Sequence, residues 1–512
     1  MKRKLPFASA SVLSLTLALL LALSLPLGLA SCGNGQDPAS ESAAGGTTAQ
    51  AEETEDPNYR CDLPDDLNYG DTTVHILYAD CPGRNDEFVS EGLEAGQVSA
   101  AVYERNIAVE SQLHVKLDMI PAGDEEVAEK MKRDISGGLQ AYDIVANGTY
   151  RAVTPAMTGQ YLNLSRVENL NTSKSYWTQG FNDLVTFTDQ DKQFLASGPV
   201  AISMFRFVFL TLYNETIMND RHIPDMYETV MNGDWTLDYQ LSIIQDLYLD
   251  KNANNKADTG DFFGFVTGNA SSVDPYTVAS NIHMIVKDPD TKELSYNADA
   301  IPAVSDLCDK VQLLYNNAAT YVYQGGAEDW AGKTKNIIQA FTAGNAMMCT
   351  CLFLDMETEI ADLAGMSYGI APIPKYDKSQ SRYYSYVQDQ VTSLGISAGI
   401  GDADRQAMLG AVMESLAYHS NRLIPPAYYG STLSLRFMQN PQSKEILDLI
   451  FDTIQFDFSS TCSNIFTGCV IRDNLRPLYS GKKNNVSSAT SGWESRITKL
   501  LEGYNQTISK LD

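Results

Sequence analysis

The chain has 512 residues, with 64 Asp and Glu against 37 Lys and Arg and a formal charge of −27. Such a surface repels polyanions, which argues against nucleic acid and anionic lipid as partners and leaves solubility as the main role of the charge. The length implies two or more domains, and the five histidines, none at ligand spacing from a cysteine pair, argue against a zinc centre.

Lys2, Arg3 and Lys4 precede the apolar run "VLSLTLALLLALSLPLGLA", the pattern of a secretory signal. The run ends in Leu29-Ala30-Ser31-Cys32, which resembles a bacterial lipobox. That resemblance implies cleavage after residue 31, a diacylglyceryl group on Cys32 and a lipid anchor at the extracytoplasmic face of the cell membrane. A transmembrane helix is the competing reading of the run, but a polar stretch follows at once. Residues 32–65 are expected to be a disordered tether, because "GNGQDPASESAAGGTTAQAEETEDPNYR" (33–60) has no aliphatic side chain larger than alanine. The other cysteines, Cys61, Cys81, Cys308, Cys349, Cys351, Cys462 and Cys469, are odd in number and scattered. They favour buried free thiols over a disulfide framework, with Cys462 and Cys469 near enough in sequence to pair.

Beyond the tether, "TVHILY" (73–78), "HVKLDMI" (114–120) and "YDIVANG" (142–148) read as strands. A helix between the first two carries Val98, Val102, Val109 and Leu113 on one side. Strand, helix, strand in units of this size predicts a parallel α/β sheet. Residues 194–214, "FLASGPVAISMFRFVFLTLYN", read as one long β-rich stretch able to cross between lobes. A helix starts at "DWTLDYQL", with Thr236 as N-cap, Asp238 in its first turn and Trp235 packing the entry. A helix-rich middle follows, "MSYGIAPIP" (366–374) returns to strand, and helices dominate the last hundred residues.

Three motifs suggest chemistry. "DKNANNKADTGD" (250–261) places side-chain oxygens of Asp250, Asn252, Asn254, Asp258 and Asp261 at the positions of a calcium loop, with the Lys256 carbonyl between them. Asn255 stands where that loop has glycine, and the segment after it reads as a strand, so calcium and a solvated turn both fit. "GISAG" (395–399) matches a nucleophile elbow around Ser397, but only His419 follows, on the next helix, so a small-residue strand end is the better reading. "AEDWAGKT" (327–334) lacks the first glycine of a phosphate loop.

Several segments are similar to the bacterial family-one extracellular solute-binding proteins, the receptors of ABC importers. They are "AVYERNIAVESQLHVKL" (101–117), "YDIVANGTYRAVTPAMTGQYLNL" (142–164), "LYNETIMND" (212–220), "NGDWTLDYQL" (232–241), "AFTAGNAMM" (340–348) and "YGIAPIPKYDKSQSRYYS" (368–385), in the family's order. "IPPAYYGSTL" and "SKEILDLIFDTIQFDF" extend the likeness toward the C-terminus. Glu215 departs from the usual lysine of the first crossover. The resemblance implies two α/β lobes, each a mainly parallel sheet flanked by helices, closing on a hinge in a periplasmic-binding-protein-like fold. It implies lobe 1 at 66–205 plus 371–425 and lobe 2 at 206–370 plus 426–512. It also implies a monomeric, non-enzymatic receptor that delivers a small solute, usually a carbohydrate, to permease subunits.

Sugars have apolar C–H faces and hydroxyl rims, which suit aromatic platforms edged by carboxylates and amides in strand-end loops. The candidates are Asn147, Thr149, Tyr150 and Arg151 after the third strand, and Trp177. Asp274 and Tyr276 follow in "SSVDPYTVA", Thr350 and Phe353 after "AMM", Tyr386, Gln388 and Asp389 beyond the return crossover, then Phe466. No cofactor is required, with structural calcium optional. The competing readings are a receptor for a peptide or polyamine, a surface glycoside hydrolase, and an interaction lipoprotein without a small ligand.

Overall fold

A computed structural model describes residues 60–188, 191–324, 330–359, 366–430, 441–467 and 470–511. The chain separates into a unit from Met1 to Glu55 and a unit from Asp56 to Asp512, and all described residues belong to the second. The signal, Cys32 and nearly all of the tether therefore lie outside the described residues, as does Cys469.

The first sheet grows from three parallel strands. Strand β1 (Thr72–Ala79) pairs along its whole length with β2 (Val115–Ala122), and on its other side with β3 (Ile144–Gly148). Val74, Ile76 and Leu77 of β1 are wholly buried, as the β-branched and aliphatic run predicts. Helix α1 (Gln97–Leu113) joins β1 to β2, burying Ala101, Val102, Val109 and Leu113. It ends where His114 takes a left-handed φ of 50°. Helix α2 (Asp124–Gly137) joins β2 to β3, and α3 (Thr149–Met157) leaves β3 directly.

The chain then crosses to a second sheet. Residues 194–214, expected as one long β stretch, are instead broken into a single bridge at Ala196, a helical turn Ser203–Arg206, a bridge at Val208 and strand β4 (Phe209–Asn214). The turn lets the chain change direction, which a straight strand cannot do. Strands β5 (Phe262–Gly268), β6 (Thr320–Tyr323), β7 (Ala346–Leu352) and β8 (Tyr368–Ala371) give this sheet the order β6-β5-β7-β4-β8, and the short segment Tyr248–Leu249 adds antiparallel to β5. Pairings β6–β5 and β7–β5 are parallel, whereas β4 runs antiparallel to both its neighbours. Helix α4 (Phe353–Glu359) follows β7 without a loop.

The return crossover ends in β9 (Thr392–Ile396), which adds antiparallel to β3 and closes the first sheet as β9-β3-β1-β2. Helix α5 (Ala403–Tyr428) then packs along α1. Its start is fixed by Arg405, whose Nε and Nη2 reach the two oxygens of Asp143 at 2.7 and 2.6 Å. Asp143 is wholly buried and also accepts the His75 amide at 2.8 Å. Helices α6 (Ile471–Tyr479) and α7 (Trp493–Ile508) close the chain.

The helix entry at Trp235 forms as expected. Thr236 caps it by accepting the Tyr239 amide, and the buried indole donates to the Pro372 carbonyl at 2.8 Å. Met347 and Met348 are core residues. Cys308, Cys349, Cys351 and Cys462 are buried free thiols, and Cys61 and Cys81 are half-buried free thiols. Among the described residues no helix is long and apolar enough to cross a membrane.

Candidate functional site

The carboxyl ends of β1, β2 and β3 gather one polar cluster. Asp124, the first residue of α2, receives Arg84 Nη2 at 3.1 Å, Arg151 Nε at 3.1 Å and the Tyr150 hydroxyl at 2.6 Å. Arg151 also reaches Glu125 at 2.9 Å and lies over the Tyr150 ring at 4.8 Å. Asn147 ties β3 to α2, donating to the Asp124 carbonyl at 3.0 Å, while its oxygen accepts the Gly148 amide at 2.8 Å. A Cβ at Gly148 would stand 2.6 Å from Arg84 Nη1 and 3.0 Å from the Tyr150 ring, so both side chains would have to shift. Burial alone would raise the Asp124 carboxyl, but the Tyr150 hydrogen bond and the Arg151 and Arg84 charges outweigh it and hold the carboxyl below its usual range. Burial and the facing carboxylate push the Tyr150 phenol up, so it stays a neutral donor.

A second cluster lies past the carboxyl ends of β5 and β7. Asp274 accepts Arg476 Nε at 2.7 Å and Nη2 at 2.5 Å. Burial pushes its carboxyl up against the pull of Arg476, yet both oxygens are occupied. Asp389 accepts the Ser463 hydroxyl at 2.8 Å and an ion pair from Arg472, one turn before Arg476 on α6. Tyr276 sits edge-on to Tyr315 with centroids 6.1 Å apart, its hydroxyl beside Thr350. Thr350 pairs across the sheet with Thr211. Tyr386 stacks almost parallel on Phe209, with centroids 5.8 Å apart. Its hydroxyl and Gln388 Oε1 are buried and have no hydrogen-bond partner among the described residues. Buried polar atoms are nearly always satisfied, so these two call for a water or a ligand. The two clusters meet where the Tyr150 amide donates to the Asp389 carbonyl at 3.1 Å.

The structure thus brings together Asn147, Tyr150, Arg151, Asp274, Tyr276, Thr350, Tyr386, Gln388 and Asp389. It does not bring in four other sequence candidates. Thr149 is wholly buried, with amide and hydroxyl both committed to the Val391 carbonyl at 2.8 Å. Trp177 packs in the core behind the first sheet and donates to buried Glu414 at 3.3 Å. Phe353 stacks on Phe451, and Phe466 sits edge-on to Phe458. All three aromatic faces are taken by the protein itself. Sequence reading missed Arg84, Asp124, Arg472 and Arg476. Asp124 carried a signal, as a carboxylate directly after a strand, whereas Arg472 and Arg476 are far along the chain from the aspartates they meet.

The motif around Ser397 is structural. Ser397 is wholly buried and donates no proton to histidine: its oxygen accepts the Gly399 amide at 3.3 Å, and its amide donates to the Asp143 carbonyl. His419 Nε2 instead meets Gln112 at 3.0 Å, and burial lowers its imidazole to about 4. "AEDWAGKT" begins outside the described residues and runs into the helix Trp330–Thr342. In the 250–261 loop Asn255 adopts φ 58°, the left-handed turn a calcium loop makes there. Asp250 accepts the Asn254 and Asn255 amides, and Asn254 Oδ1 accepts the Lys256 amide. The Nδ2 groups of Asn252 and Asn254 face Asp258 at 3.1 and 2.6 Å, while Asp261 accepts the Tyr248 hydroxyl at 3.1 Å. Among the described residues no group of three or more His, Cys, Asp or Glu side chains is arranged to hold a metal ion.

No family model and no curated protein matches this chain. Solved structures do. A sugar transporter from Rhizobium etli in an open conformation is 13% identical over 86% of this chain and 100% of its own, with a TM-score of 0.53. The galacto-N-biose/lacto-N-biose I-binding protein of the ABC transporter from Bifidobacterium longum, in complex with lacto-N-biose, is 10% identical over 85% and 98%, with a TM-score of 0.52. A maltose/maltodextrin-binding domain from Bdellovibrio bacteriovorus bound to maltotriose is 12% identical over 85% and 100%, with a TM-score of 0.51. The class is therefore defined at the level of fold: a two-lobed, periplasmic-binding-protein-like α/β architecture.

Proposed function

We propose that the protein is a solute receptor of an ABC importer that captures a neutral carbohydrate between its two lobes by hinge closure. The observation that carries this reading is the meeting of the two strand-end clusters, with the orphaned Tyr386 hydroxyl and Gln388 oxygen in the second. These groups suit a ligand rich in hydroxyls, which both donate and accept. Every guanidinium in the site is matched internally. Arg84 and Arg151 answer Asp124 and Glu125, and Arg472 and Arg476 answer Asp389, Asp274 and Asp473, so no spare guanidinium awaits an anionic solute. This favours a neutral sugar over an acidic one. Hydrolysis would need a carboxyl free to deliver a proton, and each of these carboxylates is engaged by a guanidinium.

Attachment through Cys32 at the extracytoplasmic face, delivery to permease subunits and a monomeric state complete the proposal, supported by the lipobox-like sequence and the fold. Calcium at 250–261 is a separate, accessory proposal that rests on spacing and on the left-handed Asn255. Binding there requires the Asn252 and Asn254 amides to turn their oxygens inward. A thermal-shift screen of the purified protein against neutral sugars, uronic acids, peptides and polyamines tests the main reading, because a ligand that binds only the folded state raises the melting temperature. Stabilisation by neutral sugars supports it, and stabilisation by peptides alone overturns it.

A further inference from the structure

Arg206 closes the helical turn at the first crossover, and its side chain is 9% exposed. Nη1 and Nη2 donate to the two oxygens of Asp86 at 2.5 and 2.9 Å. Nη1 also approaches the Gly83 carbonyl at 3.4 Å. On its other edge, Nε donates to Glu357 Oε2 at 3.0 Å, and Glu357 accepts the Tyr428 hydroxyl as well. Asp86 and Gly83 lie on the loop that follows β1 in the first sheet, whereas Glu357 lies on α4, which follows β7 in the second. A single guanidinium therefore holds two carboxylates that belong to different sheets.

Packing places the seam at the same point. Gly83 has φ +83°, and a Cβ there would stand 2.9 Å from both Leu354 of α4 and Phe207 of the crossover. The loop after β1 thus rests directly on the helix after β7. Beside it Phe205 stacks on Tyr428 with centroids 5.2 Å apart. Without the guanidinium, Asp86 and Glu357 would face each other as like charges across this seam and drive it apart. With it, both are joined by charge-assisted hydrogen bonds. Asp86 is 40% exposed and Glu357 15%, so salt reaches the Asp86 side of the bridge more readily.

We propose that Arg206 is a positioning residue that latches the two lobes together and sets the ligand-free balance between open and closed forms. It touches no solute in this role. A receptor that is only partly closed binds more weakly in proportion to the competent fraction, so weakening the latch lowers apparent affinity. That consequence rests on the solute-receptor reading, whereas the effect on ligand-free lobe geometry does not.

Small-angle X-ray scattering of the purified protein without ligand is the test, on wild type, Arg206→Met and Asp86→Asn. Both variants are expected to show a larger radius of gyration than wild type. Wild type is expected to expand with added salt, and Asp86→Asn much less. Any sugar that binds is expected to bind roughly three- to tenfold more weakly to Asp86→Asn, mainly through faster release. If Arg206→Met does not fold, the half-exposed Asp86→Asn decides the matter. Identical ligand-free scattering from wild type and a folded Asp86→Asn overturns the latch, even if sugars bind. Expanded variants in a protein that binds no sugar would keep the latch and remove the receptor reading.

Discussion

Replacing Tyr386 with Phe separates a ligand-facing hydroxyl from a structural one. The Tyr386 side chain is wholly buried and its ring stacks on Phe209, so Phe keeps the packing and removes only the oxygen. That oxygen has no partner among the described residues. A buried hydroxyl without a partner costs about 1–3 kcal/mol. The ligand-free variant is therefore expected to be as stable as wild type or more stable, by up to about 1 kcal/mol once relaxation is allowed for. In the complex the same oxygen is expected to bond a sugar hydroxyl, and its loss removes about 0.5–1.5 kcal/mol, roughly a 2- to 13-fold rise in Kd. Urea unfolding without ligand and titration calorimetry with ligand read the two halves separately. A variant destabilised by more than about 1 kcal/mol with unchanged Kd would refute the reasoning, because the hydroxyl would then serve the fold.

Three further outcomes are expected. Asp143→Asn leaves Arg405 facing a neutral partner at the base of the first sheet, and urea unfolding should show a loss of about 3–5 kcal/mol with solute affinity retained. Burial lowers His419 to about 4, so the unfolded chain binds its proton first on acidification. Its contribution is complete above the ordinary histidine value of about 6.5 and is lost as pH falls toward 4; His419→Gln should flatten that part of the stability–pH curve. Calcium in millimolar excess should raise the melting temperature, with up to about 2.7 kcal/mol of stabilisation at a hundredfold excess over Kd. Asp258→Asn should abolish the gain, and an unchanged melting temperature in wild type removes calcium from the account.

The strands of the first sheet were legible because their apolar, β-branched runs are local signals, whereas β6 lay unread inside the stretch expected to be helix-rich. "FFGFVTG" forms β5 over the residues expected, and the 73–78 run lies inside β1. The stretch 194–214 misled because β propensity is the same on either side of a turn, and only the crossover geometry shows where the chain bends. Asn147, Tyr150 and Arg151, which the structure gathers around Asp124, were readable as candidates because the end of a strand is a local signal. Arg472 and Arg476 were not, because their partners Asp389 and Asp274 lie 83 and 202 residues away. Trp177 was misplaced for the converse reason: an indole suits a sugar and a core equally, and Glu414, 237 positions on, decides which.

The central claim is reversible capture of a neutral carbohydrate. Titration calorimetry of the purified protein against neutral mono- and oligosaccharides, with chromatography of the recovered ligand, tests it most directly. Saturable binding to at least one neutral sugar class is expected, with weak or absent binding of uronic acids and polyamines and the ligand recovered unchanged. Cleaved sugar in the recovered ligand, or binding confined to charged solutes or peptides, would contradict it.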